Sequence, residues 1–328
     1  MSASVLCEVV SAILERPVSA DELVPVLCQV RLERMARLLH LRIARMPQAA
    51  DRELAASLID ALGDQQAQAM LQSPALCEIL RTGRPDAGLL FLLACAGQPG
   101  QAVTPRLANG VALERLPVRL ANPSAGLQCP AIPSVSAQAA AMETINAALR
   151  RLQSAAPFAH AMFAGLVQTL VVRNDSARAQ ECWGASSGAA IGRVAVINAA
   201  ASKSAAALGE VLLHEATHCA IDCAELVKPL VPLDEPAQHS PAALVASPWS
   251  GNPLTPHAFI HASVVWAVLH EYWSACLGEQ DADARLRYID CGFARLREGR
   301  VARLPKLAPH AAKVVSLACE RVHPAAVH

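Results

Sequence analysis

The chain has 328 residues, enough for one large domain or two ordinary ones. Hydrophobic residues make up 53% and charged residues 17%, a balance too apolar for a disordered chain. Lysine plus arginine equals aspartate plus glutamate at 28 each, so no net field draws the protein to nucleic acid or to an anionic membrane surface.

The N-terminal stretch MSASVLCEVVSAILERP carries Glu8 and Glu15 where a secretion signal needs a basic flank and an unbroken apolar run. Up to residue 100, VLCEVVSAIL, ELVPVLCQVRLERMARLLHLRIARM, RELAASLIDALGDQQAQAMLQ and CEILRTGRPDAGLLFLLAC repeat apolar residues at three- and four-residue steps. That period marks packed helices separated by Pro, Gly and Asp breaks. The most apolar run, GLLFLLACAG at 88–97, is about half of the roughly 18 residues a membrane span needs.

Residues 98–139 turn rich in Pro, Gly, Ser and Asn, which reads as a linker. The domain boundary is placed there: 1–139 as a helical N-terminal region suited to docking a peptide or partner, and 140–328 as the catalytic domain. A helix over QAAAMETINAALRRLQSAAPFAHAMFAGL is expected to break at Pro157. QTLVVRN and GRVAVINAA are β-branched enough for two strands, with DSARAQECWGASSGAAI as the loop between them. Ser186, Ser187 and Gly188 in that loop form a turn near the cleft or on the surface, and GRVAVINAA is expected to offer an edge for an extended peptide.

Helices are then expected over Ala205–Val227, Phe259–Leu277, DADARLRYIDCGFARLREG and KLAPHAAKVVSLACERV. The fold class is mainly α with a small β-sheet (α+β), a helical N-terminal region preceding a zincin-like metal helix. The eleven cysteines form no CxxC pair, which fits packed, reduced thiols and a cytoplasmic location; Cys219 and Cys223 are read as packing residues.

The helix after the second strand contains His214-Glu215-Ala216-Thr217-His218, an HExxH motif. One helical turn separates the two imidazoles, which places both on one face to share a metal ion. Glu215 stands beside them, where a carboxylate can take a proton from metal-bound water. The surroundings VLLHEATHCAI are apolar, so three ionisable side chains there need a partner or a task. A third protein ligand has to come from further along, because a histidine six residues after His218 is absent and Ala224 stands there. His257, His261, His270 and Glu271 are the candidates, with His261 preferred and His257 suited to a hydrogen-bonding or capping role. Asp222, one turn past His218, suits orienting an imidazole.

The runs HEATHCAIDCAELVKPL and ASPWSGNPLTPHAFIHASVVWAVLHEYW resemble the HExxH-type peptide-modification family that accompanies ribosomally made peptides. The resemblance spans about residues 165–275 and rests on the HExxH, Pro248-Trp249, Pro253-Leu254 and His261-Ala262. Asn252 stands where members often carry arginine before the Pro-Leu pair. The resemblance implies an iron(II)- and 2-oxoglutarate-dependent dioxygenase that hydroxylates a side-chain Cβ of a precursor peptide in RiPP biosynthesis, with that peptide and a partner biosynthetic protein as its partners. It implies Fe(II) held by His214, His218 and His261, with an arginine for the distal carboxylate of 2-oxoglutarate. Arg193, Arg285 and Arg295 are the foremost candidates, with Arg287 and Arg297 nearby. Two other functions compete: a Zn(II) peptidase with Glu215 as general base, and a non-catalytic peptide-binding protein.

Overall fold

The structure is a computed structural model that describes residues 20–83, 86–96, 107, 111–113, 133–231, 244–298 and 307–323. It is mainly helical with a small mixed sheet. Helix α1 (Ala20–Ala44) leads into four shorter ones: α2 (Ala49–Asp60), α3 (Asp64–Leu71), α4 (Pro74–Thr82) and α5 (Asp86–Ala96). The stretch RELAASLIDALGDQQAQAMLQ therefore forms two helices, because Gly63 is extended between them and its N–H is taken by the Gln66 side chain. Helix α4 begins at a Ser73 cap and stops at Gly83, whose φ of 66° suits glycine.

Leu39, Met46, Ala55, Met70, Leu76 and Leu89 give these helices a core of their own. Helix α1 also faces the larger core, where Leu27 and Met35 join Leu152, Met162 and Phe163. Its buried Arg31 donates to the Ile191 carbonyl at 2.6 Å. Apolar packing thus continues across the boundary drawn at residue 139. Most of the linker itself, with Cys7, Cys129 and His239, lies outside the described residues.

The break at Pro157 separates α6 (Val135–Ala155) from α7 (Pro157–Leu166). Strands β1 (Ala112–Leu113), β2 (Thr169–Arg173), β3 (Trp183–Ser186) and β4 (Arg193–Ile197) form one sheet in the order β1-β2-β4-β3. β2 runs parallel to both β1 and β4, and β3 is antiparallel to β4. Two sequence expectations are corrected here. The loop between the two expected strands contains β3, hidden because WGAS has none of the usual strand formers beyond its tryptophan. And β4 offers no edge, since β2 and β3 cover both sides; the outer strands are β1 and β3.

Helix α8 (Ala205–Glu225) carries the motif and is capped by Ser204, whose Oγ accepts from Ala207 N at 3.0 Å. A short hairpin of β5 (Val245–Ala246) and β6 (Pro253–Leu254) leads to α9 (Pro256–Ala275), capped by Thr255 with Pro256 in its first turn. Helices α10 (Ala282–Arg297) and α11 (Pro309–Val322) complete the described chain. Trp249 pins the hairpin: its indole lies against Gly292 of α10 and donates to the Ile289 carbonyl at 3.2 Å. A Cβ at Gly292 would stand 2.0 Å from that ring, so the approach requires glycine. Among the described residues no helix is long and apolar enough to cross a membrane.

Candidate metal centre

Helices α8 and α9 lie antiparallel. Tyr272, late in α9, donates to the Ala206 carbonyl at the start of α8, while His257 at the start of α9 meets Glu225 at the end of α8. Gly209 permits the first contact, because a Cβ there would stand 2.4 Å from the Tyr272 hydroxyl. Glu210 clamps the same end, accepting from Trp273 Nε1 at 2.6 Å and from Arg285. The facing surfaces of the two helices are therefore fixed in register before any ligand is considered.

Between them and β3 lies a cavity of about 580 Å³. His214, Glu215, His218 and Asp222 come from α8; His257, His261 and Trp266 from α9; Trp183, Ser186 and Gly188 from β3 and the turn after it. The Nε2 atoms of His214 and His218 stand 3.2 Å apart. Two imidazole nitrogens each bonded to one ion at about 2.1 Å span this distance when the angle at the ion is roughly 100°. The motif pair therefore has the spacing of ligands to a single ion.

Burial lowers the His214 imidazole to about 4, with Arg285 contributing, and burial and neighbouring histidines hold His218 well below its ordinary range. Both rings are neutral near pH 7, the form that binds metal. Glu215 is raised to about 7, by burial first and then by Asp222, against the opposing hydrogen bond from Ser186 Oγ at 2.6 Å. Its packing is close: a Cβ at Gly184 of β3 would come within 2.7 Å of Glu215 Cγ, and one at Gly188 within 2.8 Å of Asp222 Oδ1. Small residues in β3 and its turn let the motif helix approach the sheet.

His261 meets His218, Nδ1 to Nδ1 at 3.1 Å, and turns its Nε2 toward Glu225 Oε2 at 3.2 Å. His257 Nε2 reaches the same oxygen at 2.8 Å, the hydrogen-bonding role expected of it. Burial opposes ionisation of Glu225, but the hydrogen bonds from His257 and His261 and their nearby charge outweigh it and hold the carboxyl far below its usual range. Glu225, His257 and His261 form a group that could hold a metal ion, with ligand atoms all within 4.8 Å of one another. Glu225 is the residue that the sequence reading passed over as a ligand. It lies seven residues past His218 and three past Asp222, so helical spacing alone puts it on the same face.

No protein-family model matches the chain, and no curated protein matches it. The remaining candidates are placed by geometry. His270 faces Asp290 at 3.3 Å, and Glu271 pairs with Arg321; neither lines the cavity. Arg193 binds Glu78 at 2.7 Å, Arg285 is held by Glu210, and Arg295 donates to the Pro248 carbonyl at 2.7 Å. None of these three is on the cavity wall; the arginine there is Arg178. Its segment is anchored by Asn198, whose amide donates to the Arg178 carbonyl at 2.8 Å from a left-handed backbone with φ of 54°. A basic residue in a short turn after β2 carried no sequence signal distinguishing it from other surface arginines.

Cys219 and Cys223 are buried and free, and the described cysteines form no disulfide. Burial is the largest cause of the rise in both thiols, to about 12 for Cys219 and further for Cys223, so both stay protonated as packing groups.

Proposed function

We propose that the chain is an iron(II)- and 2-oxoglutarate-dependent hydroxylase that acts on a side-chain Cβ of a ribosomally made precursor peptide. The observation that carries this reading is the donor wall of the cavity: imidazoles from two helices, set beside a buried carboxylate and under an outer strand of the sheet. The donor set fits a first-row divalent ion, for which imidazole and carboxylate are suitable ligands. His214, His218 and His261 would hold it, and Glu225 would orient His261 from behind, as carboxylates do for metal-bound histidines. When bound, the ion supplies the activation of dioxygen, with 2-oxoglutarate as the source of electrons.

The chain's own residues bind and orient. Arg178, which lines the cavity and pairs loosely with the exposed Glu181 at 3.7 Å, would bind the distal carboxylate of the cosubstrate. Trp183, Leu254 and Trp266 give the cavity apolar walls that restrict water around the reacting carbon. The outer strand β3 offers backbone groups to an extended peptide. β4, a turn and the motif helix also follow one another in the order of zincin-like proteins, which supports placing the reaction on α8.

One observation favours the zinc peptidase as second reading: Glu215 stands near neutrality beside the histidine pair, as a general base should. The two readings separate on one assay. With Fe(II), 2-oxoglutarate, oxygen and a panel of precursor peptides, hydroxylation gives succinate and a peptide heavier by one oxygen atom. Glu215→Gln should leave this turnover within about tenfold, whereas loss of a general base costs about a hundred- to ten-thousandfold. Peptide cleavage with Zn(II), abolished in Glu215→Gln, would reverse the assignment.

A further inference from the structure

Each of the two helices that face the cavity carries a histidine pair spaced by four residues: His214 and His218 on α8, His257 and His261 on α9. Together with Glu225 they make an unbroken run of donors. The steps are 3.2 Å from His214 to His218, 3.1 Å from His218 to His261, 3.2 Å from His261 to Glu225, and 2.8 Å from Glu225 to His257. An ion with bonds of about 2.1 Å keeps its donors within about 4.2 Å of one another, so one ion has room for part of this run only. Among the described residues the donors divide accordingly. Glu225, His257 and His261 have ligand atoms mutually within 4.8 Å, and His214 and His218 stand outside that group. His218 sits at the division, with Nε2 toward His214 and Nδ1 toward His261.

We propose that the cavity holds two divalent cations side by side, one on His214 and His218 and the second on Glu225, His257 and His261. The proposal rests on the reading of the motif pair as a metal site and refines it, allotting His261 to the second ion. The second set is two imidazoles and one carboxylate, a combination suited to Fe(II), Mn(II), Co(II) or Zn(II) and one that leaves coordination positions open. Without an ion, the Nε2 atoms of His257 and His261 both address one oxygen of Glu225, gathering the three donors around a common point. With one, the end of α8 is tied to the start of α9, directly beside the motif pair.

The test is metal stoichiometry on full-length, metal-free protein titrated with Mn(II), with bound metal measured by elemental analysis and by electron paramagnetic resonance. Wild type should bind about two equivalents with a spectrum broadened by coupling between neighbouring ions. His214→Ala should retain about one, and so should Glu225→Gln and His257→Ala, each with the sharp six-line signal of an isolated ion. The His257 side chain is 45% exposed, so its variant reports on the site without emptying the core. One equivalent in wild type, or complete loss of binding in any single variant, overturns the proposal. Failure of the hydroxylase reading looks different: two equivalents would still bind, and no 2-oxoglutarate would be turned over.

Discussion

His218→Ala should weaken metal binding at the motif pair sharply and abolish turnover while leaving the fold in place. The ring lies on the cavity wall between His214 and His261, so its removal enlarges an existing space rather than opening a void in the apolar core. Apparent binding free energies for four-ligand sites are about 10–16 kcal/mol, which makes one ligand worth roughly 3–4 kcal/mol. Affinity should therefore fall by about a hundred- to a thousandfold, measurable by competition with a chelator of known strength. His40→Ala is the control: that ring is exposed, bonds only to the Ala36 carbonyl, and should leave affinity unchanged. Metal bound in His218→Ala with the stoichiometry and affinity of wild type would remove the motif from the account.

The second large effect concerns Glu215 in metal-free protein. Its folded-state value, about 7, lies above the 4.5 of the unconstrained carboxyl, burial being the main cause. Between these values the unfolded chain has released the proton and the folded chain still holds it, so this group's contribution to stability falls as pH rises. Above pH 7 the loss is complete, on the order of 3 kcal/mol from the difference in the two values. His214 acts in the opposite direction, since its folded value near 4 makes stability rise as pH climbs toward 6.5. Glu215→Gln isolates the first contribution because glutamine keeps the oxygen that accepts from Ser186 Oγ. The variant should match wild type near pH 4.5 and exceed it by about 3 kcal/mol above pH 7 in urea unfolding. A difference that stays flat across this range would show that Glu215 is not a buried, protonated carboxyl.

The helical elements were readable because their apolar period is strong, and the break at Pro157 follows from the missing N–H. β3 escaped because its four residues owe their strand to pairing with β4 and to the need for small side chains beneath Glu215. That need is tertiary and leaves no periodic trace. At the site, His214, Glu215 and His218 were legible as one motif within one helix. His261 was reachable by asking which later histidines open a helix, and the structure brings it against His218. Its pairing with Glu225 was not readable, since it depends on how the end of α8 meets the start of α9. The arginines show the same division. Arg193, Arg285 and Arg295 had the right chemistry, but contacts with Glu78, Glu210 and the Pro248 carbonyl arise only in the packed chain. Arg178 reaches the cavity through the anchor at Asn198, a residue 20 positions away.

The central claim, that this cavity binds iron together with 2-oxoglutarate, is tested most directly by anaerobic titration of the iron(II)-loaded protein with 2-oxoglutarate, followed by visible absorption. The account predicts a metal-to-ligand charge-transfer band that saturates with 2-oxoglutarate and is absent in His214→Ala. Iron demonstrably bound at the motif pair in wild type and lost from that pair in His214→Ala, with no such band at any 2-oxoglutarate concentration, would contradict it.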